Sequence, residues 1–240
     1  RLMFVIGAVT AALTIPFALA LPRTAISHAR AEKGEWRTLL RNRNFVRLLV
    51  VTFLAYGCIQ GPMALFPILI RAQGGGLEVV SEMWLLMIAL ELPLIFFFGK
   101  AVAWAGPRGV IAIGLLASAV RWIVSGFVDD LTVVAAAQLL HGAAVFGLIL
   151  GAPLYVDLSV PASLRSTAQG LLAMVGIAFG GMLSNLAAGT LIEFYGATAP
   201  ARFGGIGIGV LALALPLLLP RIDPAAAVAN EKNAAPSSGR

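Results

Sequence analysis

Charge is scarce in this chain. Of its 240 residues only 12% are Asp, Glu, Lys or Arg, about half the share of a soluble domain, whereas 60% are hydrophobic. An ordinary water-soluble globule is thereby excluded. Cysteine is nearly absent: Cys58 stands alone, so no internal disulfide can form, and it reads as a small packing residue. No cofactor or metal is expected. Acidic residues number 11 against 17 basic ones, giving a net charge of +6. That excess does not make a nucleic-acid surface, because the cations are spread among the connections between apolar blocks.

What the chain has in abundance is long apolar runs. Seven of them, 2–22, 46–70, 83–104, 109–128, 131–157, 168–194 and 203–220, approach or exceed the roughly 20 residues a helix needs to cross a bilayer's hydrocarbon. The expected architecture is all-α, a polytopic membrane helix bundle of about seven transmembrane helices lying in a lipid bilayer. Residues 1–22 form one helix and 23–45 a polar loop with an amphipathic turn around Trp36, Leu39 and Leu40. Residues 46–222 form a six-helix unit, and the small, polar tail 223–240 is expected to be disordered. Pro62, Pro67, Pro93 and Pro153 fall inside spans and read as kinks. Gly176, Gly180, Gly181 and Gly189 mark one helix for close approach by another.

The cations report orientation. Arg23, Arg30, Lys33, Arg37, Arg41, Arg43 and Arg47 crowd the first long connection, which the positive-inside rule places in the cytoplasm. Alternation puts Asp129–Asp130 outside and Lys100, Arg108, Arg165 and Arg221 inside; Arg71 and Arg202 are exceptions. The N-terminus is thus expected outside and the C-terminus in the cytoplasm. Arg1, an apolar core and Ala18–Leu19–Ala20 imitate a secretory signal peptide, but cleavage there would translocate the seven-cation segment. The first residue is Arg, which fits a piece of a longer polypeptide. "GGIGIGVL" at 204–211 has glycines like a nucleotide fingerprint without the preceding strand or the following acid, and reads as the start of the last span.

Three ionisable side chains lie deep in spans: Glu91, Arg121 and His141. At about 1.5 Å per residue, Glu91 and Arg121 sit about 12 Å from the external ends of their blocks, and His141 about 15 Å. An arginine at mid-bilayer costs roughly 2.5–3.5 kcal/mol even on the lenient insertion scale, so a partner or a use is needed. The expectation is one wet polar cluster in which Glu91 is the counter-charge of Arg121. A carboxylate, a guanidinium and an imidazole together suit proton handling. The plainer alternative is a buried pair that only fixes helix register, with His141 bonded in the core. Gln138, Tyr56, Gln60 and Asn185 are candidate solute ligands, with interhelical hydrogen bonding as their alternative. A hydrolase built on His141 and Ser125 lacks the nucleophile turn.

The stretch "AAAQLLHGAAVFGLILGAPLYVDLSVPASLRSTAQGLLAMVGIAFGGMLSNLAAGTLIEFYG", with "ELPLIFFFGK" and "ASAVRWIVSG" before it, resembles the C-terminal half of a major facilitator superfamily transporter. The resemblance is to the branch of lactose permease, nucleoside:proton symporters and phenylpropionate permeases. It implies helices six to twelve of a twelve-helix carrier and alternating access by two rocking halves. It further implies a bacterial inner membrane, proton-coupled symport of a small organic solute, and a partner in the missing N-terminal half or a second copy. Glu91, Arg121 and His141 occupy the helices that carry the branch's proton-coupling residues, with His141 and Gln138 linking proton to substrate. In "GKAVAWAGPRG", Ala103 stands where the family places an aspartate, which removes the usual charge-based latch. A nontransporting membrane scaffold or partner subunit is the alternative function.

Overall fold

The computed structural model describes residues 2–20 and 36–222; residues 21–35, which take in the first part of the expected loop 23–45, and the tail 223–240 lie outside the described residues. The chain divides into two units. The first holds α1 (Leu2–Ala20), whose described side chains, Val9, Leu13, Ile15 and Leu19 among them, are all exposed. The second holds α2 (Trp36–Arg41), α3 (Arg43–Ala64), α4 (Phe66–Ala72), α5 (Leu77–Ala89) and α6 (Glu91–Phe127). It continues with α7 (Leu131–Ser159), α8 (Ala162–Tyr195) and α9 (Ala199–Leu218). No strand occurs among the described residues. Among the described residues, five helical runs are long and apolar enough to cross a membrane: α3, the combined run Leu77–Phe127, α7, α8 and α9.

The combined run is two passes and not one. At Gly106 the backbone has φ 69° and ψ 171°, which glycine adopts freely, and Pro107 follows. An uninterrupted helix would hold Met87 and Arg121 about 50 Å apart. Instead the guanidinium touches the Met87 sulfur at 3.4 Å, so the chain doubles back at Gly106. The first pass begins at Leu77, six residues before the expected start at 83, because Glu78 and Glu82 interrupt the apolar run without interrupting the helix.

The four prolines expected as kinks each lie at or near a break, whereas Pro216 sits inside α9 without one. Pro62 and Pro67 flank Leu65, where α3 gives way to α4. Pro93 has no amide for the Ala89 carbonyl, and the helix is interrupted at Leu90. Pro153 follows a π turn, Phe146–Leu150, that absorbs the residue out of register. A second π stretch, Leu172–Phe179, runs through α8.

Close approaches position the site. A Cβ on Gly147 would lie 2.5 Å from the Cα of Gly114, so α7 meets the second pass of α6 backbone to backbone. One on Gly142 would lie 2.8 Å from the Glu91 amide nitrogen, which brings the Glu91 backbone against the turn that carries His141. Gly176, Gly180 and Gly181 face Thr52, Phe53 and Gln60 of α3, whereas Gly189 faces open space. The Gly61 amide donates to Ser184 Oγ at 2.8 Å, fixing α3 to α8.

The ends of the passes are tied by polar side chains. Asn42 caps α3 through its own Oδ1 and donates from Nδ2 to the Ser159 carbonyl, 2.9 Å, at the end of α7. Arg108 donates to the Leu219 carbonyl and Tyr155 to the Pro220 carbonyl, both past α9. In "GKAVAWAGPRG", with alanine at 103, the arginine of the turn thus bonds a backbone carbonyl. Asp130 caps α7 by accepting from the amides of Thr132 and Val133, and those bonds hold its carboxyl below the usual carboxylate range.

Arg202, an exception to the charge rule, has a local explanation: its Nε donates to the Gly126 carbonyl at 2.6 Å and its guanidinium lies 5.1 Å from the Phe127 ring, at the C-terminus of α6. Arg202→Met should therefore lower stability by about 1–2 kcal/mol. Reversible unfolding in detergent measures it.

Candidate functional site

Arg121 is 2% exposed, deep in the second pass of α6. It carries five N–H donors and no acceptor. Nε donates to Gln138 Oε1 at 2.8 Å and Nη1 to His141 Nδ1 at 2.9 Å, both on α7. Nη2 meets the sulfurs of Met63 and Met87, each at 3.4 Å, and Cζ stacks 4.3 Å from the centre of the Trp122 ring. Because arginine can only donate, His141 Nδ1 is the acceptor, and the imidazole proton resides on Nε2.

Arg121, His141, Met63 and Trp122 of this set border a cavity of about 430 Å³. Arg121, His141, Glu91 and Tyr56 line it together with Gln60, Ser118 and the rings of Trp84 and Trp122. Three side chains from separate helical passes thus share one space, although Glu91 lies 14 residues, or about 21 Å of helix, from the start of its pass at Leu77.

Several placements differ from the sequence expectation. Among the described residues no carboxylate pairs with the guanidinium: Glu91 borders the same cavity, but Arg121 is turned toward Gln138 and His141 on α7. Gln138 is fully buried and does not border the cavity. Its Oε1 serves Arg121 while Nε2 donates to Ser125 Oγ and the Val134 carbonyl, so it holds the arginine and has no free group for a solute. Asn185 opens onto a separate cavity of about 520 Å³, and Gln60 alone of the two amides borders both. Ser125 is fully buried and bonded to Gln138, away from the cavity, which removes the hydrolase pairing with His141.

Sequence reasoning missed the thioether acceptors Met63 and Met87, which look like ordinary core residues in a sequence. It also missed Ser118, 1% exposed, whose hydroxyl has no partner among the described residues. Ser118 precedes Arg121 by three residues, so helical spacing places both on one face.

A bundle of helices long and apolar enough to cross a membrane, with buried polar groups bordering a cavity, is the architecture of a polytopic membrane protein. The chain belongs to the MFS_1 like family of major facilitator transporters, which matches residues 2–202. It is 30% identical over 181 residues to the maltose permease of Geobacillus stearothermophilus, an alignment covering 75% of this chain and 46% of that protein. The chain spans about half the length of this curated relative. No solved structure matches it significantly.

Proposed function

We propose that this chain carries out proton-coupled symport of a small organic solute by alternating access, with Glu91 accepting the proton, Arg121 modulating it and His141 linking proton to solute. The observation that supports this reading most is the convergence of those three groups on one cavity flanked by two tryptophans. Protonation of His141 at Nδ1 is incompatible with accepting from Arg121 and would release the guanidinium. Freed, it is in the same cavity as Glu91 and can take the ionised carboxylate as its partner. Onward transfer of the proton from His141 to Glu91 ends that pairing and restores the Nδ1 acceptor. Each proton then changes the bonding of two helical passes, which is the requirement for coupling a proton to a movement.

A second six-helix half, on the same or another polypeptide, would close the cavity. The cation-rich segment favours an N-terminus outside and a C-terminus in the cytoplasm of a bacterial inner membrane. Sugars, nucleosides and aromatic acids are the solute classes in view, and the relative's name makes maltose the first to try. In proteoliposomes with an inward proton gradient, solute should accumulate and a protonophore should abolish the accumulation. Uptake indifferent to the gradient contradicts the coupling; absence of uptake with any of the three classes favours a scaffold.

A further inference from the structure

We infer that the solute seated in this cavity bears a carboxylate, held by Arg121 and Ser118, on a largely apolar body. The inference rests on the transport reading above and narrows its substrate class. It begins with charge. The ionisable groups lining the cavity are Tyr56, Glu91, Arg121 and His141, and the one carboxylate among them makes no ion pair with the guanidinium. All the acceptors that Arg121 has are neutral, and two of the four are thioether sulfurs, weak acceptors at 3.4 Å. A guanidinium has five N–H groups, so one on Nη1 is left without an acceptor among the described residues. A buried charge in this condition is costly, and an anion is what relieves it.

The second observation is independent. Ser118 is buried, its hydroxyl is unpartnered among the described residues, and it lines the same cavity three residues before Arg121. A hydroxyl and a guanidinium on one helix face form a two-point donor set suited to the two oxygens of a carboxylate. The rest of the lining carries no charge and, apart from the amide of Gln60, is largely apolar, with Ile59, Val145, Leu148, Ile149 and Trp84 among it. Charge also balances over a cycle: with Glu91 protonated the cavity holds a net positive charge, and a bound carboxylate neutralises it. One proton and one anion would then move together with no net charge.

Trp84 and Trp122 make binding visible in the purified chain by quenching of tryptophan fluorescence. The probes are phenylacetate, its neutral isostere phenylacetamide, and maltose. Phenylacetate should quench saturably, and the amide and maltose should not at the same concentration. Ser118→Ala removes a hydroxyl with no partner to lose, so folding is kept, and phenylacetate affinity should fall about tenfold. Equal binding of acid and amide, unchanged affinity in Ser118→Ala, or no quenching by phenylacetate overturns the inference. Quenching by maltose alone overturns it while leaving proton-coupled transport, tested separately by gradient-driven uptake, intact.

Discussion

Glu91→Gln should abolish proton-driven accumulation while leaving solute binding and passive equilibration in place. One unit of pH gradient is worth about 1.36 kcal/mol per proton, so a carrier moving one proton per solute can concentrate its solute about tenfold. Glutamine keeps the size and hydrogen-bonding capacity of the side chain but cannot take up the proton. The steady-state ratio of inside to outside solute should fall from about ten to about one. Binding should persist, because the groups that hold Arg121 are Gln138, His141 and the two methionines, none of which bonds Glu91. The measurement is labelled-solute uptake at a fixed gradient beside fluorescence binding on the same preparation. A variant that still accumulates solute assigns the proton to another group.

Gln138→Leu should destabilise the bundle by about 3 kcal/mol. The substitution removes the best acceptor of a buried guanidinium, the 2.8 Å bond to Nε, and also the donor to Ser125 Oγ. Leucine leaves the charge buried and less satisfied, which is the expensive arrangement; replacing a polar group matters most when its charged partner stays behind. Gln138→Glu supplies a carboxylate at the same place and should recover most of the loss in stability, although the bond to the Val134 carbonyl goes with the amide. It should also neutralise Arg121 from the wrong side, so carboxylate binding should be lost while the protein remains folded. Chemical unfolding of the three proteins, run beside phenylacetate binding, separates the two effects. Equal stability of the leucine variant and the parent would mean that Gln138 does not hold the arginine.

The architecture was largely legible because bilayer-length apolar runs and turn residues leave few alternatives. "Gly-Pro" at 106–107 marks the reversal between two passes, and the acids at 129–130 mark the next, where Asp130 caps α7. Pro62, Pro67, Pro93 and Pro153 each announce a break that is found within a few residues of them. The early start of the first pass at Leu77 was hidden, since Glu78 and Glu82 make polar what a helix nevertheless includes.

The candidate site was legible by residue type, only in part by depth, and not by rotation. Glu91, Arg121 and His141 do line one cavity, although the depth counted for Glu91 was too small because its pass begins at Leu77. Which way the guanidinium turns depends on where α7 lies against α6, and their close approach at Gly114 and Gly147 is distant in sequence from one partner or the other. Hence Gln138, taken as a solute ligand, is the arginine's own acceptor. Met63 and Met87 could not be distinguished from core methionines, because a thioether becomes an acceptor only when a donor arrives. Asn185 shares the polarity of the cluster but faces the other cavity.

The most direct measurement is of the proton itself. Proteoliposomes without an imposed gradient, in weakly buffered medium, are given solute outside, and external pH is followed. Downhill solute entry should alkalinise the medium by about one proton per solute, with no signal from Glu91→Gln. Solute entry without any proton movement would contradict the proposal that the Glu91, Arg121 and His141 cavity couples the two.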